Sequence, residues 1–425
     1  MLCPAARLGG KEAWLASGPP TVRKWGHRKE DRMPTANFLP SPKRIPGSIG
    51  LSFSGGGYRA TLFHLGAVRR LHEFGILPKI TTVSSVSGGS ILNGFIASRP
   101  ASPFTGVIDF EQAISKPMRD FCSLDIRRWL ALEAIIPGTH NSNGLANAYN
   151  KHLTLGKKLT EISDTPKHVF CSTDLAYGVN WMFKKAQCGD YQAGYMPTPD
   201  DWLVSTAVAA SSCFPPVFKP LHLDLDPAKL TGGKDTSPNR DKCVREITFS
   251  DGGVYDNLGL EPIWKDHETV LASDGGALFP IGGDTGFSWE VGRFVGIPEN
   301  QALALRKRWL ISSFATTGPE TMNGTYWGIG GTVAGYSQPG GYSDAVVKNF
   351  IAAIRTDLDS FSEAEASVLE NHGYLLADAA IRTYVPKLLP AQVPALKIPH
   401  PEWMDEAKVQ VALKDSSKRA LLGHS

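Results

Sequence analysis

A chain of 425 residues with 42% hydrophobic side chains carries enough apolar material for a large buried core, which excludes a disordered or fibrous protein. Its formal charge of +3 is uneven: residues 1–48 hold nine Lys or Arg against three acidic residues, leaving −3 on residues 49–425, so the main body is not expected to be a nucleic-acid surface. The six cysteines (Cys3, Cys122, Cys171, Cys188, Cys213, Cys243) form no Cys-x-x-Cys pair and have no histidines at zinc spacing; they read as buried or indifferent thiols of a reducing compartment, with no metal.

Residues 1–47 are rich in Pro, Gly and basic side chains without periodicity, which predicts a flexible basic leader, with Met33 as an alternative start. Pro and Gly break up its apolar residues, and no apolar run reaches the roughly 18–20 residues of a membrane span. A cytoplasmic protein is expected, with any membrane contact peripheral. Folded sequence begins at Ile49–Phe53, a short strand that feeds Gly55-Gly56-Gly57-Tyr58-Arg59. Beyond it Leu62, Leu65, Val68, Leu71 and Phe74 share one stripe of a helix that Gly75 stops. A second strand, Ile80–Val86, and a helix, Ser90–Ala97, repeat the strand-turn-helix unit, which favours a parallel sheet flanked by helices.

Residues 101–160 lack strand alternation and are expected to be a mostly helical insertion over the active face, with Trp129, Leu130, Ile135 and Ile136 as side chains that could meet a lipid. A strand at His168–Thr173, a helix at Asp201–Ser211, a polar surface excursion at 223–245 and strands at Glu246–Phe249 and Thr269–Ser273 follow. Helices are expected at Asn300–Phe314, Ser343–Ala353 and Ser362–Ala380; the stretch 316–342 is too glycine-dense for a regular element and reads as a loop near the site. Within the first of these helices, Leu303–Phe314, with Arg306, Lys307, Arg308 and Trp309, reads as packing its apolar face on the core, with a lipid interface as the alternative. Residues 386–425 form a Pro-spaced tail with a terminal helix.

A serine hydroxyl is a weak nucleophile until a strained, exposed turn holds it beside a base. Ser85-Val86-Ser87-Gly88-Gly89 has the layout of the elbow Gly-x-Ser-x-Gly, with Ser85 at the first glycine; alone it is a weak signal, and an ordinary strand-to-helix turn with Ser87 as N-cap is the better reading. The triple glycine offers N–H groups and the positive end of a helix dipole to an anion. A nucleotide phosphate is the poorer reading, since no Gly-Lys-Ser or Gly-Lys-Thr follows and Ala60 stands where a third spaced glycine belongs. Arg59 is expected to fix the loop through backbone carbonyls. Three aspartates at strand ends, Asp251, Asp274 and Asp174, compete for the role of base, and composition does not choose among them. His64, inside the first helix, reads as a helix-surface or core residue.

Taken in order, Gly55-Gly56-Gly57-Tyr58-Arg59, Ser87 in its turn, Ala209-Ala210-Ser211-Ser212-Cys213-Phe214-Pro215-Pro216-Val217-Phe218 and Asp251-Gly252-Gly253 resemble the patatin-like phospholipase family, over roughly residues 49–385. The resemblance implies a three-layer α/β/α fold with a mainly parallel central sheet, a catalytic domain at 48–385 and extra C-terminal helices. It further implies Ser87 as nucleophile and Asp251 as base in a dyad without histidine, an oxyanion hole from Gly55, Gly56, Gly57 and Gly88, and Arg59 as loop support. Neither cofactor nor metal is implied. The expected activity is cleavage of fatty-acyl esters of (phospho)lipids through an acyl-enzyme. Because an unperturbed aspartate titrates near 3.9, such a base should be semi-occluded. The alternatives are a soluble esterase or thioesterase on small acyl groups and a catalytically silent lipid-binding module.

Overall fold

The computed structural model describes residues 44–128, 141–215, 218–278, 287–317 and 321–418. Two strand-turn-helix units open it: β1 (Ile45–Phe53) and α1 (Gly57–Glu73), then β2 (Thr82–Ser85) and α2 (Gly88–Ala97). The insertion contributes α3 (Lys116–Cys122) and α4 (Asn141–Tyr149); Trp129, Leu130, Ile135 and Ile136 lie outside the described residues. Next come β3 (Lys167–Asp174), β4 (Val179–Phe183), β5 (Gln187–Asp190), β6 (Gly194–Pro197), α5 (Val204–Ser212), β7 (Leu221–Asp224) and β8 (Glu246–Asp251). The chain ends with β9 (His267–Asp274), α6 (Phe287–Ala315), β10 (Asn323–Gly328), α7 (Glu363–Tyr384) and α8 (Glu406–Leu413).

The ten described strands join one mixed sheet, eight of them in the order β10-β9-β1-β2-β3-β4-β5-β6 and the other two branching from β3 as β8 and then β7. From β10 to β3 the pairing is parallel; β4, β5 and β6 continue it as antiparallel hairpins. Strand β2 is short, pairing β3 only from Thr82↔Lys167 to Ser85↔Phe170, and β8 pairs antiparallel with the remainder of β3, from Ser172↔Asp251 to Asp174↔Phe249. Since β8 runs against β3, its C-terminal residue, Asp251, arrives where β2 ends and the serine turn begins.

Alternation along the strands divides the core. Leu51, Phe53, Leu271 and Trp327 point into the main cluster beneath α1, α2, α5 and α7, whereas Val270 and Ala272 point to the opposite face, against Leu258, Leu260, Ile263 and Leu310. Helix α7 starts on a capping box: the Ser362 hydroxyl accepts the Glu365 N–H, and Glu365 Oε2 accepts the Ser362 N–H at 2.8 Å. No described helix is long and apolar enough to cross a membrane.

Two expectations need correction. Within 316–342, read as a loop, Asn323–Gly328 forms the edge strand β10; fully buried Trp327 and nearly buried Thr325 alternate with Tyr326, and that packing outweighs the glycines at its flanks. Helix α6 begins at Phe287, well before Asn300, and continues past Pro298. The described part of the tail, 386–418, lies against the helices: Arg70 donates to the carbonyls of Pro394 and Ala395, and the Asn371 side chain accepts the His400 N–H and donates to its carbonyl.

Candidate active site

Ser87 occupies the tight turn between β2 and α2 with φ 51° and ψ −118°, a conformation an L-residue adopts only when its surroundings impose it. The imposition is visible. A Cβ on Gly88 would lie 2.1 Å from the Gly57 carbonyl oxygen, so the serine turn is pressed directly against the glycine loop. Thr61 Oγ1 bridges the two, donating to the Gly88 carbonyl at 2.7 Å with the Gly57 carbonyl 3.1 Å away. From below, the Ser87 N–H is shared between Ser211 O at 3.1 Å and Ser211 Oγ at 3.0 Å. Ser211 Oγ in turn donates to the Cys171 carbonyl.

Ser85, which departs from the elbow pattern, has an explanation in this packing. Its hydroxyl donates to the Val169 carbonyl at 3.2 Å and accepts from Ser90 Oγ and Asn93 Nδ2, each at 2.9 Å. His168 closes the chain on Asn93 Oδ1 at 2.6 Å. A glycine here would leave that buried set short of an acceptor. Ser211, Ser90 and Asn93 carried no local signal for this role, because each acts through a partner distant in sequence.

The glycine loop enters α1 through Gly57, at φ 56°, where a Cβ would meet the Asp357 carbonyl oxygen at 2.5 Å. As first helical residues, Gly57 and Gly88 have no intrahelical acceptor for their N–H groups. Among the described residues no backbone acceptor outside the helices takes the N–H of Gly56, Gly57 or Gly88. Gly55 differs: its N–H donates to Asn257 O at 3.0 Å, which removes it from the expected set of oxyanion donors. Buried Arg59 donates to the carbonyls of Gly275, Ala352 and Ile354, the last at 2.7 Å, and so ties the loop to two other segments.

Asp251 is 2% exposed and Ser87 8%, and both line a pocket of about 150 Å³ with Gly56, Gly57, Phe214 and Leu358. Burial pushes the Asp251 carboxyl up to about 7, against the opposing pull of the Ser87 hydroxyl and of the Gly253 N–H, which donates to Oδ1 at 2.7 Å. The Ser87 hydroxyl is near enough to favour the ionised carboxylate, yet the contact falls short of a formed hydrogen bond and leaves Oδ2 without a partner. Serine–base contacts of this kind commonly tighten only when substrate is bound. Glu299, from α6, lines the same pocket and adds to the upward shift.

Neither rival aspartate lines that pocket. Asp274 is buried, which would raise its pKa, but Lys307 at 2.5 Å and the Tyr326 hydroxyl at 2.7 Å hold it below the usual carboxylate range. Asp174 accepts the N–H groups of Ala176 and Tyr177 at the end of β3, and burial together with the neighbouring Asp190 carboxyl pushes it up. His64 is a core residue, its ring nitrogens bonded to Ser273 Oγ and the Ser54 carbonyl, and burial keeps it neutral by lowering its pKa to about 4. No cluster of three or more His, Cys, Asp or Glu placed to hold a metal occurs among the described residues.

The sequence model of the family described as Patatin-like phospholipase matches residues 51–264, half of the chain. Among solved structures, human GIVD cytosolic phospholipase A2 is similar with a TM-score of 0.50 and 14% identity, over 88% of this chain and 60% of that one. VipD from Legionella pneumophila matches with a TM-score of 0.36 and 12% identity, over 81% of this chain and 68% of that one. No curated protein sequence matches the chain.

Proposed function

Because the chain belongs to the patatin-like phospholipase family, we propose that it hydrolyses fatty-acyl esters of lipids, with Ser87 as nucleophile and Asp251 as general base. The observation that carries this reading is the pairing itself: a serine in a strained turn beside a buried carboxylate that titrates near neutral pH. Asp251 takes the Ser87 hydroxyl proton as Oγ attacks the ester carbonyl. The N–H groups of Gly56, Gly57 and Gly88, fixed at two helix N-termini, receive the charge that develops on the carbonyl oxygen. Asp251 then gives the proton to the departing alcohol, leaving an acyl-serine. Water, deprotonated by the same carboxylate, releases the fatty acid and returns the proton to Ser87.

Peripheral contact with a bilayer is assigned to α6. Its Leu310 is buried and Phe314 packs on the core, but Phe294, at 74% exposure, and Leu305, at 60%, face outward with Trp309 and Ile311. Glu299 of the same helix reaches the pocket, so the exposed apolar surface adjoins the site. A second reading, hydrolysis of short soluble acyl esters, draws on the modest volume of the pocket.

The test is labelling with a fluorophosphonate, expected for the native chain and lost in Ser87→Ala. A folded native chain that resists labelling would sink both hydrolytic readings. Fatty-acid release from phospholipid vesicles, compared with turnover of a soluble short-chain ester, separates them: indifference to the lipid interface favours the second.

A further inference from the structure

The sheet is not evenly covered. Phe170, Trp181 and Phe183 of β3 and β4 point into the main core, but the other face of the same strands carries only a small cluster of Val86, Val169, Cys171 and Met182. The single helical turn Gly253–Asp256 packs toward β3 and β4 there. What remains is a groove of about 970 Å³, far larger than the pocket around Ser87, running from the N-terminal ends of β1, β2 and β9 across β3 and β4 to β6.

Its charges are unbalanced. Of the three carboxylates in the lining, Asp164 is paired with Lys185 at 2.7 Å and Glu261 with Lys265 at 2.5 Å, while Asp266 meets the His267 ring at 2.7 Å and, against the effect of burial, is held below the usual carboxylate range by His267 and by the more distant charge of Lys167. Lys167, Lys184 and Lys234 also line the groove and form no ion pair among the described residues. Lys184 and Lys234 instead lie beside the rings of Tyr195 and Tyr191, with Nζ 5.9 and 5.4 Å from the ring centroids. Burial lowers the pKa of Lys184, a partly desolvated cation with no ion-pair partner among the described residues. A second orphan lies farther along β4, opposite Thr173. Asn180 is 6% exposed and lines the groove; its Nδ2 donates weakly to Cys171 Sγ at 3.7 Å, and its Oδ1 has no partner. Three lysines call for an anion, an unmet amide oxygen calls for a hydroxyl, and Tyr191, Tyr195 and Tyr255 present rings and phenols to a ligand body.

We propose that this groove binds a soluble phosphorylated polyol, with phosphate on Lys167, Lys184 and Lys234 and a ligand hydroxyl on Asn180. The soluble form is favoured over a lipid headgroup by direction. Asp251 alternates along β8 with Phe249 and Ile247, which point into the main core, whereas Val169, Asn180 and Met182 of the groove lie on the opposite face of the sheet. A molecule presenting its serine to a bilayer turns this groove away from it. The choice of a soluble ligand over a headgroup rests on the proposed orientation of Ser87 toward lipid; anion binding by the groove does not.

Isothermal titration of the full chain carrying Ser87→Ala, using inositol 1,4,5-trisphosphate, which keeps three free hydroxyls, as probe, tests it with the hydrolytic site disabled. Saturable one-to-one binding is expected, weakened at least tenfold by Lys184→Met with Lys234→Met, while unphosphorylated inositol does not bind. Asn180→Ala should weaken the probe while leaving inorganic phosphate unaffected, and circular dichroism reports whether each variant is folded. Absence of binding overturns the proposal, as does binding that the double lysine variant leaves unchanged. In a parallel arm, the double variant should sediment normally with vesicles containing a phosphatidylinositol phosphate; a loss there, with no binding of the soluble probe, would move the site to a lipid headgroup and overturn the soluble assignment.

Discussion

Asp251-Gly252-Gly253 and Asp274-Gly275-Gly276 are the same tripeptide at the ends of two strands, and they share a local geometry. In each, Oδ1 of the aspartate accepts the N–H of the second glycine, at 2.7 and 2.9 Å. The other carboxylate oxygen separates them. Asp274 Oδ2 meets Lys307 and Tyr326 and stays ionised although buried, bracing β9 against α6 and β10. Asp251 Oδ2 meets no hydrogen-bond partner, and burial carries its pKa to about 7. A tripeptide decides where a carboxylate is placed; side chains far along the sequence decide whether it can exchange a proton.

Replacing each aspartate by asparagine is the severest way to break that contrast. Asp251→Asn should lower kcat on a soluble ester by roughly 10²–10⁴, the share a general base usually supplies. Asp274→Asn should keep kcat within a few-fold and instead cost about 2–3 kcal/mol in urea unfolding, because Lys307 is left partly buried without its counter-charge. If the folded Asp274→Asn chain lost turnover to the same degree, the two roles would have to be exchanged.

Lys307→Met sharpens the comparison from the other side by making Asp274 resemble Asp251. With no cation beside it, the buried Asp274 carboxyl should rise above its unfolded value, so the contribution it makes to stability is present in acid and lost as pH increases. The variant is therefore expected to be destabilised by roughly 1–3 kcal/mol at pH 8 and less at pH 5. Urea midpoints at the two pH values measure this; equal losses at both would mean that Lys307 acts by packing alone.

The native pair also predicts a titration. If Asp251 must be ionised to act, kcat/KM on a soluble ester should increase through about pH 7, with the rate at pH 6 roughly a tenth of that at pH 8. Stability should move the opposite way: because the folded pKa lies above the unfolded one, the contribution of Asp251 is complete below about pH 4 and lost as pH rises through 7. Asp251→Asn should flatten part of that slope. A rate profile flat from pH 5 to 8 would remove Asp251 as the titrating base.

The sequence displayed the parts that are local. Alternation and glycine punctuation placed β1, α1, β2 and α2 within a few residues and marked the turns at Ser87, Asp251 and Asp274, but left Asp251, Asp274 and Asp174 as equal candidates until the family resemblance chose among them. What it hid is non-local. Nothing near Asp274 announces Lys307, the entry of β8 beside a truncated β2 depends on the whole sheet, and β10 is a strand because Trp327 is buried, not because its glycines favour one. The engagement of the Gly55 N–H by Asn257 likewise required the fold.

Ser85 offers the smallest and most specific test. Ser85→Ala removes the acceptor of both Ser90 and Asn93 beneath the elbow, at an expected cost of about 1–2 kcal/mol. Its hydroxyl touches neither the pocket nor Asp251, so the effect on turnover must pass through the angle at which β2 delivers Ser87. We expect kcat to fall less than tenfold with KM unchanged and fluorophosphonate labelling slowed but complete. A purely structural serine would lower stability and leave the labelling rate of the folded fraction untouched. The elbow's missing glycine would then reflect core hydrogen bonding and not the positioning of a nucleophile.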